Sequence, residues 1–124
     1  MDQHQFVIAQ GSTPRIELLL AFEFPQSGGK AFVTFSQGGV NVLEYGLNGT
    51  ATPAIAGAGQ LTVDSNDRSM LVLSMTQADT LSLKPGDVEL QVRIMTTDGV
   101  DTFADTYEPL VGAVMKAKKG GVIS

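Results

Sequence analysis

The chain contains no cysteine and no tryptophan, and His4 is its one histidine. Without cysteine it can form neither a disulfide framework nor a zinc–thiolate site. A zinc site or a catalytic triad needs histidine together with suitable partners, so we interpret the isolated His4 as a surface residue. The two tyrosines, Tyr45 and Tyr107, are the only large amphipathic rings on which a sugar can stack.

Charge is also scarce: charged residues make up 17% of the chain, and the formal net charge is -5. An acidic chain lacks the basic footprint of a nucleic-acid-binding protein and is repelled by anionic membranes. The basic cluster Lys116, Lys118 and Lys119 is typical of a solvated tail. The sparse charge leaves two alternatives for the exterior: an apolar contact surface for a partner, or a covering of Thr, Ser, Gln and Asn.

Long apolar runs are missing as well. The longest stretch, Leu18 to Phe22, is far too short to span a bilayer. The first five residues have neither the basic nor the apolar region of a signal peptide. We therefore expect no membrane segment and no secretion signal.

What the sequence does contain is a series of strand-favouring segments, separated by clusters of Gly, Pro, Asn, Asp and Ser. Apolar residues alternate with polar ones with a period near two, most clearly in 15–24 and 88–96, which is typical of half-buried strands. The segment 70–73 is apolar on both faces and indicates a central or doubly covered strand. We predict strands over 5–10, 15–24, 31–37, 40–47, 60–64, 69–75, 88–96, 100–107 and 110–115, with a loop over 46–60 that contains at most a short edge strand.

Local signals mark the turns between these strands. Thr76 followed by Asp79 resembles a helix cap and predicts a single helical turn near 76–81, with Leu81 and Leu83 pointing into the core. Asp98-Gly99 predicts a tight hairpin. Pro109 interrupts the returning strand, which we therefore expect at a sheet edge.

These elements predict an all-β fold, an immunoglobulin-like β-sandwich of about seven to nine antiparallel strands rather than a barrel. The chain divides into a single sandwich domain over 1–115 and a basic C-terminal tail over 116–124.

Two groups of carboxylates are candidate sites. The segment 64–68 resembles a calcium loop, but Ser69 and Met75 stand where that loop needs glycine and glutamate, so an ordinary turn is the better interpretation. Asp98, Asp101 and Asp105 could supply the two carboxylates that a glycosidase needs, yet nothing in the sequence brings two of them into one cleft.

Two glycine-containing motifs have simpler explanations. Gly57-Ala58-Gly59 lacks the third glycine of a dinucleotide-binding loop and precedes no convincing helix. Asn48-Gly49-Thr50 matches a glycosylation sequon, but without a secretion signal an ordinary Asn-Gly turn is the better interpretation. We predict no catalytic, cofactor-binding or metal-binding residue, no cofactor and no enzymatic activity.

The stretch from Met75 to Ile123 resembles small proteins encoded with phage and prophage tail genes. The residues that carry this resemblance are Thr76-Gln77, Asp79-Thr80-Leu81, Gly86, Gln91-Val92-Arg93, Asp98-Gly99 and Gly121-Val122-Ile123. More loosely, the chain is similar to the N-terminal immunoglobulin-like domain of siphophage upper baseplate proteins, including the opening from Phe6 to Phe24. Fibronectin type III domains share a Leu-x-Pro-Gly turn, but Val88 and Leu90 stand where those domains usually have tyrosine.

This resemblance implies a non-enzymatic structural or assembly protein of a phage or prophage tail, at the baseplate or tail tip. Its partners would be other tail proteins and further copies of itself, and the virion would be assembled in the bacterial cytoplasm. Two alternatives stay open at this level: a carbohydrate- or cell-surface-binding module for host attachment, and a hydrolase with an unusual carboxylate pair. A fold alone does not choose among them.

Overall fold

A computed structural model describes residues 6–20, 23–24, 29–98, 101–106 and 110–116, and arranges them as nine strands, one α-helical turn and one 3-10 turn. The strands are β1 Phe6–Ala9, β2 Arg15–Leu19, β3 Gly29–Gln37, β4 Val40–Leu47, β5 Gln60–Val63, β6 Met70–Ser74, β7 Gly86–Asp98, β8 Asp101–Thr106 and β9 Leu110–Met115. The 3-10 turn is Pro53–Ile55, and the α-helical turn, α1, is Gln77–Leu81.

The strands form two sheets that enclose one core. The larger sheet has the order β1-β9-β7-β3-β4, with β8 pairing the distal part of β7, and the smaller sheet has the order β2-β6-β5. In the standard immunoglobulin lettering, β2, β6 and β5 correspond to strands B, E and D, and β3, β7 and β9 correspond to strands C, F and G. Strand β4 corresponds to C′, an extra strand of the variable type. The chain is thus an immunoglobulin-like β-sandwich, as the sequence predicts.

The pairing of β9 corrects two expectations. β9 is not an edge strand, because β7 pairs with one side of it and β1 with the other. The β1–β9 ladder is also parallel, whereas the sequence predicts antiparallel strands throughout. The interruption around Pro109 lies outside the described residues. The long strand β7 has two successive partners on one side, β8 and β9, and the other side of β9 pairs with β1.

Strand β2 is shorter than predicted, although its core face is placed correctly. The ladder with β6 ends at Leu19, yet Leu18, Leu20 and Phe24 are all buried. Beyond the ladder, the backbone N–H groups of Leu20 and Phe24 donate to the carbonyls of Ser69 and Arg68. The alternation of apolar and polar residues therefore predicts which side chains are buried. The end of β2 is decided by the partner strand, because Leu19 pairs with Met70, the first residue of β6.

The core lies between the two sheets and is built largely from β3, β6 and β7. The ring of Phe35 packs edge-on against Phe6 and Tyr45, each at 6.3 Å between centroids. These three rings pack between the two sheets. No disulfide links the sheets, because the chain has no cysteine. The predicted inward residues of β7, namely Val88, Leu90, Val92 and Ile94, are all buried, and β6 is the central strand of its sheet, as expected.

The predicted helical turn is present and begins with the predicted cap, since the Oγ1 of Thr76 accepts the N–H of Asp79. Of the two leucines expected in the core, Leu83 is 1% exposed, whereas Leu81 is 53% exposed. The prediction for Leu81 is wrong because α1 turns Thr80 to the core and successive helical residues project about 100° apart, whereas Leu83 lies beyond the end of α1. Thr80, fully buried, occupies the position under the turn instead.

Candidate functional site

A buried carboxylate, Asp79, lies where α1 meets the loop before β5. Its Oδ2 accepts the hydroxyl of Tyr45 at 2.7 Å, the N–H of Gly59 at 2.9 Å and the N–H of Thr76 at 3.3 Å. Its Oδ1 accepts the N–H of Ala58 at 2.8 Å. One carboxylate thus joins β4, the loop before β5 and the start of α1.

The electrostatics of this pair fit a structural role. Burial alone raises the pKa of Asp79, but the hydrogen bonds from Tyr45, Ala58, Gly59 and Thr76 outweigh it and hold that pKa below its usual range. Burial, together with the hydrogen bond to Asp79 and its negative charge, raises the pKa of the Tyr45 hydroxyl. The carboxylate therefore stays ionised and the phenol stays protonated at neutral pH. The phenol donates its hydrogen bond to the carboxylate, which also accepts three backbone N–H groups.

Tyr45 is 2% exposed, so its ring is not presented to solvent. The carbohydrate-binding alternative relied on Tyr45 or Tyr107 as a stacking ring. Tyr107 lies outside the described residues. Tyr45 has no face on which a sugar can stack.

A second carboxylate, Glu44, lies on the outer side of β4. Its Oε1 accepts the backbone N–H of Thr52 at 2.7 Å and the hydroxyl of Thr52 at 2.9 Å, while its Oε2 accepts the hydroxyl of Thr34 at 2.8 Å. Burial raises the pKa of Glu44, but these hydrogen bonds and the nearby positive charge of Arg93 hold it below its ordinary value. Arg93 in turn lies over the ring of Phe32, 5.0 Å from its centroid. Glu44 therefore anchors the loop after β4.

Beside Glu44 and Tyr45 lies an open cleft of about 370 Å³, bordered by β4, β5 and the loop that joins them. Its lining includes neither histidine nor any basic side chain. Both titratable lining groups, Glu44 and Tyr45, are already engaged. The lining residues are Glu44, Tyr45, Gly46, Gly49, Ala51, Gly57, Gly59, Gln60, Leu61 and Thr62.

The glycines singled out in the sequence serve packing. A Cβ on Gly57 would strike the ring of Tyr45, and one on Gly59 would strike the carbonyl oxygen of Ser74. Asn48 has a φ of 59° and donates from its side chain to the carbonyl of Gly29 at 3.0 Å, which supports the Asn-Gly turn interpretation. These residues close turns around the buried Asp79 network.

The other candidate residues are placed as follows. Asp64 Oδ1 accepts the N–H groups of Asn66 and Asp67, which makes 64–67 a side-chain-stabilised turn, as predicted. The backbones of Asp98 and Asp101 are paired across the β7–β8 hairpin, which confirms the predicted hairpin pairing, and Asp105 is opposite Ile94. His4 lies outside the described residues. Among the described residues, no three potential metal-ligating side chains come together.

Three polar residues of the segment 76–81 make hydrogen bonds that hold α1 in place. Thr76 caps α1, Asp79 holds the network described above, and the hydroxyl of Thr80 donates to the carbonyl of Ser12 at 2.9 Å. The same Thr80 oxygen accepts the N–H of Gly11 at 2.9 Å and so attaches the β1–β2 turn to α1. The spacing of Thr76 and Asp79 predicts the cap, whereas the links to β4 and to the β1–β2 turn were not predicted, because nothing local to 76–81 indicates them.

An apolar stripe lies on the outer face of the six-stranded sheet and is the strongest candidate for a contact surface. Val7 is paired with Ala113, and Ala9 with Met115, so these outward side chains share one face. Val7 is 61% and Met115 55% exposed. The stripe consists of Val7, Ala9, Val111, Ala113 and Met115, the outward residues of β1 and β9.

An acidic row borders the stripe on β7. Asp87 is paired with Ala113 and Glu89 with Val111, so both exposed carboxylates lie directly beside apolar members of the stripe. A shallow groove of about 290 Å³ runs here between the β3–β4 turn and Val111. The opposite side of the stripe ends at β1, which pairs only with β9 among the described strands. The surface therefore combines an apolar strip, an acidic border and a sheet edge.

Comparison with known proteins gives a structural similarity but no family. No protein family model matches the chain, and no curated protein sequence matches it. Among solved structures, it is similar to the second immunoglobulin domain of the mouse polymeric immunoglobulin receptor, with 12% sequence identity and a TM-score of 0.47, covering 94% of this chain and 98% of that one. No helix in the described part of the chain is long and apolar enough to cross a membrane.

Proposed function

We propose that this chain is a non-enzymatic structural protein of a phage or prophage tail, located at the baseplate or tail tip and acting through protein–protein contacts. The observation that carries the proposal is the apolar stripe on β1 and β9. Exposed apolar side chains grouped on one face are typical of contact surfaces. The resemblance of residues 75–123 to tail-associated proteins supplies the class of partner.

The carboxylates support a non-catalytic role. Asp79 and Glu44 each accept three or more hydrogen bonds from the protein itself. A general acid or base needs a proton-transfer site within reach of substrate. In both residues the carboxylate oxygens accept hydrogen bonds that hold loops in place, so these carboxylates stabilise the fold.

The position of the stripe also suits assembly. It lies at the edge of the larger sheet, where an added strand or segment can extend the contact through backbone hydrogen bonds. The folded domain carries strong negative charge, which favours partners with basic surfaces. As a virion component, the protein would be assembled with its partners in the bacterial cytoplasm.

The test is co-expression of the tagged full chain with the tail-tip and baseplate proteins encoded beside it. We expect the wild type to co-purify with at least one of them and the double variant Val7→Glu/Val111→Glu to lose that association. Leu19→Glu is the matched control, because Leu19 is 72% exposed but lies on β2 of the other sheet. Wild-type protein that stays an inert monomer with all of these partners overturns the proposal, as does equal loss of binding in the Leu19 variant.

A further inference from the structure

The outer face of the larger sheet is acidic at one end of β7 and basic at the other. The outward side chains of β7, in chain order, are Asp87, Glu89, Gln91, Arg93 and Met95. Both carboxylates and Arg93 are exposed. On the neighbouring strand β3, the exposed Lys30 is paired with Met95 and adds a second positive charge at the basic end. The row therefore changes sign about its middle residue, Gln91.

Glu89 and Arg93 have no ion-pair partner within the part of the chain that the structure describes. They lie four residues apart on one strand, about 13 Å, which is too far for them to pair with each other. The nearby Glu44 acts on Arg93 only through space, because its own oxygens accept hydrogen bonds from Thr34 and Thr52. Both exposed charges can therefore pair with groups of a second molecule.

One two-fold rotation brings the opposite charges of two copies together. The axis lies in the contact plane, perpendicular to the strands, and crosses β7 at Gln91, so the strands of the second copy run in the reverse direction. Arg93 of each copy then faces Glu89 of the other, because both lie two residues from Gln91. By the same rotation, Lys30 of each copy comes to the level of Asp87 of the other. Stacked sheets lie about 10 Å apart, which leaves room for an arginine and a glutamate side chain to meet.

The same rotation places a large side chain of β3 opposite a small one. Thr34 is paired with Gln91 and so lies on the level of the axis. Phe32 of one copy, which is half-buried, therefore faces Ser36 of the other. Ser36 borders the shallow groove of about 290 Å³, together with the glycine turn 38–39, where an added Cβ would meet no atom within 4 Å. The groove thus has room for the ring of Phe32 from a second copy.

The size of this face suits a folded partner. Four strand positions about 4.8 Å apart and nine residues along β7 give roughly 19 Å by 30 Å, or about 570 Å² before side-chain relief is added. A stable interface usually covers about 800 Å² of accessible surface on each partner. The apolar stripe alone, two strands wide and five residues long, covers only about 160 Å². The wider face therefore approaches the area that a dimer needs.

We propose that a second copy of this chain binds the outer face of the larger sheet as an antiparallel two-fold dimer, with Arg93 of each copy paired to Glu89 of the other. This inference rests on the proposed function in treating the outer face of the larger sheet as a contact surface, and it names a second copy as the partner. In the dimer, β9 of one copy crosses β8 of the other. Strand β1 lies beyond the contact, because no described strand of the second copy is opposite it, and its edge stays open to other proteins.

Charge reversal at the two paired positions tests this contact. Sedimentation equilibrium of the full chain at low salt measures the dimer Kd. Arg93→Glu alone and Glu89→Arg alone should each raise that Kd about tenfold or more, because each variant places like charges opposite one another twice. An equimolar mixture of the two variants should dimerise again, because each glutamate of one variant then faces an arginine of the other.

Arg15→Glu and Glu17→Arg are the matched controls, because they make the same changes at exposed residues of β2 in the other sheet. Each control should keep the wild-type Kd. Circular dichroism of all four variants reports their folding, and recovery of the dimer in the mixture requires that both interface variants are folded. Raising the salt concentration should weaken the wild-type dimer, since the screening length shortens from about 10 Å at 0.1 M to about 3 Å at 1 M.

The absence of cysteine allows cross-linking at single positions to locate the axis. Gln91→Cys should be joined to the same position of the second copy by a short bifunctional maleimide, because this position lies on the axis. Lys30→Cys should not, because it lies four residues from the level of the axis and so at least about 26 Å from its counterpart. Faster cross-linking at Lys30 than at Gln91 overturns the proposed geometry.

A wild-type chain that stays monomeric at low salt overturns the inference, as does a dimer that Arg93→Glu leaves unchanged or that the mixture fails to restore. Interface variants that lose a tail protein without any change in self-association show that this face binds that protein, which also overturns it. A monomer that co-purifies with tail proteins rejects this inference and leaves the proposed function intact. A charge-dependent dimer that binds no tail protein supports this inference and rejects the proposed function.

Discussion

The hydroxyl of Tyr45 donates a 2.7 Å hydrogen bond to Oδ2 of Asp79, 34 residues away along the chain. This single contact joins the larger sheet to the turn that follows the smaller one. Both side chains are buried, and the carboxylate also accepts the N–H groups of Ala58 and Gly59. The pair therefore holds a long, glycine-rich loop against the sandwich.

Tyr45→Phe should lower the free energy of unfolding by about 1–3 kcal/mol, because it removes one donor from a buried carboxylate while the ring packing stays. Asp79→Asn should cost more, since its amide NH2 would face backbone N–H donors. Urea denaturation monitored by circular dichroism measures both. Unchanged midpoints in both variants would contradict a stabilising role for this contact.

Stability should fall at acid pH. The folded-state pKa values of Asp79 and Glu44 lie below their ordinary values of 3.8 and 4.5, so the unfolded chain binds more protons in this range. Their contribution is complete above the ordinary pKa values and is lost as the pH falls through the lowered ones. Urea midpoints from neutral pH to about pH 3 measure the slope. Asp79→Asn and Glu44→Gln should each flatten it, and a wild-type stability that stays constant over this range contradicts the assignment.

Gly57→Ala should destabilise the fold by about 1–3 kcal/mol, the usual cost of forcing a methyl group into a packed site. The added Cβ would overlap the ring of Tyr45 and displace the loop from Asp79. Thermal unfolding measures the loss. Ala58→Gly, at an exposed neighbour that keeps its N–H donor, is the control, and we expect the smaller effect there. Equal effects would show that loop flexibility, not the Tyr45 contact, matters.

The two leucines near α1 form a second matched pair. Leu83→Ala should cost about 2–5 kcal/mol, because it leaves a cavity in the core. Leu81→Ala should stay within about 0.5 kcal/mol, because that side chain is largely exposed. Chemical denaturation of both variants distinguishes them, and a large loss at Leu81 would place it in the core after all.

The local patterns in the sequence predicted much of this fold. Alternation predicted the inward faces of β2 and β7, because a strand presents every second side chain to one side. The spacing of Thr76 and Asp79 predicted the cap of α1, since both partners lie within one turn. Strands β4 and β9 begin and end where the sequence predicts.

The candidate surface was less predictable. The sequence indicated sparse charge, but Val7 and Val111 are 104 residues apart and share a face only through the parallel β1–β9 ladder. Likewise, Glu44 and Thr52 become partners only through the path of the loop after β4. Neither relationship has a local signature, because pairing between distant strands depends on the whole topology.

What the sequence alone determined is the type and polarity of each element: strands with one apolar face, a capped turn and a domain without cysteine chemistry. These follow from side-chain periodicity and from hydrogen bonds between near neighbours. The tertiary structure decided that β9 is paired on both sides, that β1 runs parallel to β9, and that Asp79 binds Tyr45. Those outcomes required tertiary contacts because they depend on how two sheets, distant in sequence, bury their apolar faces against each other.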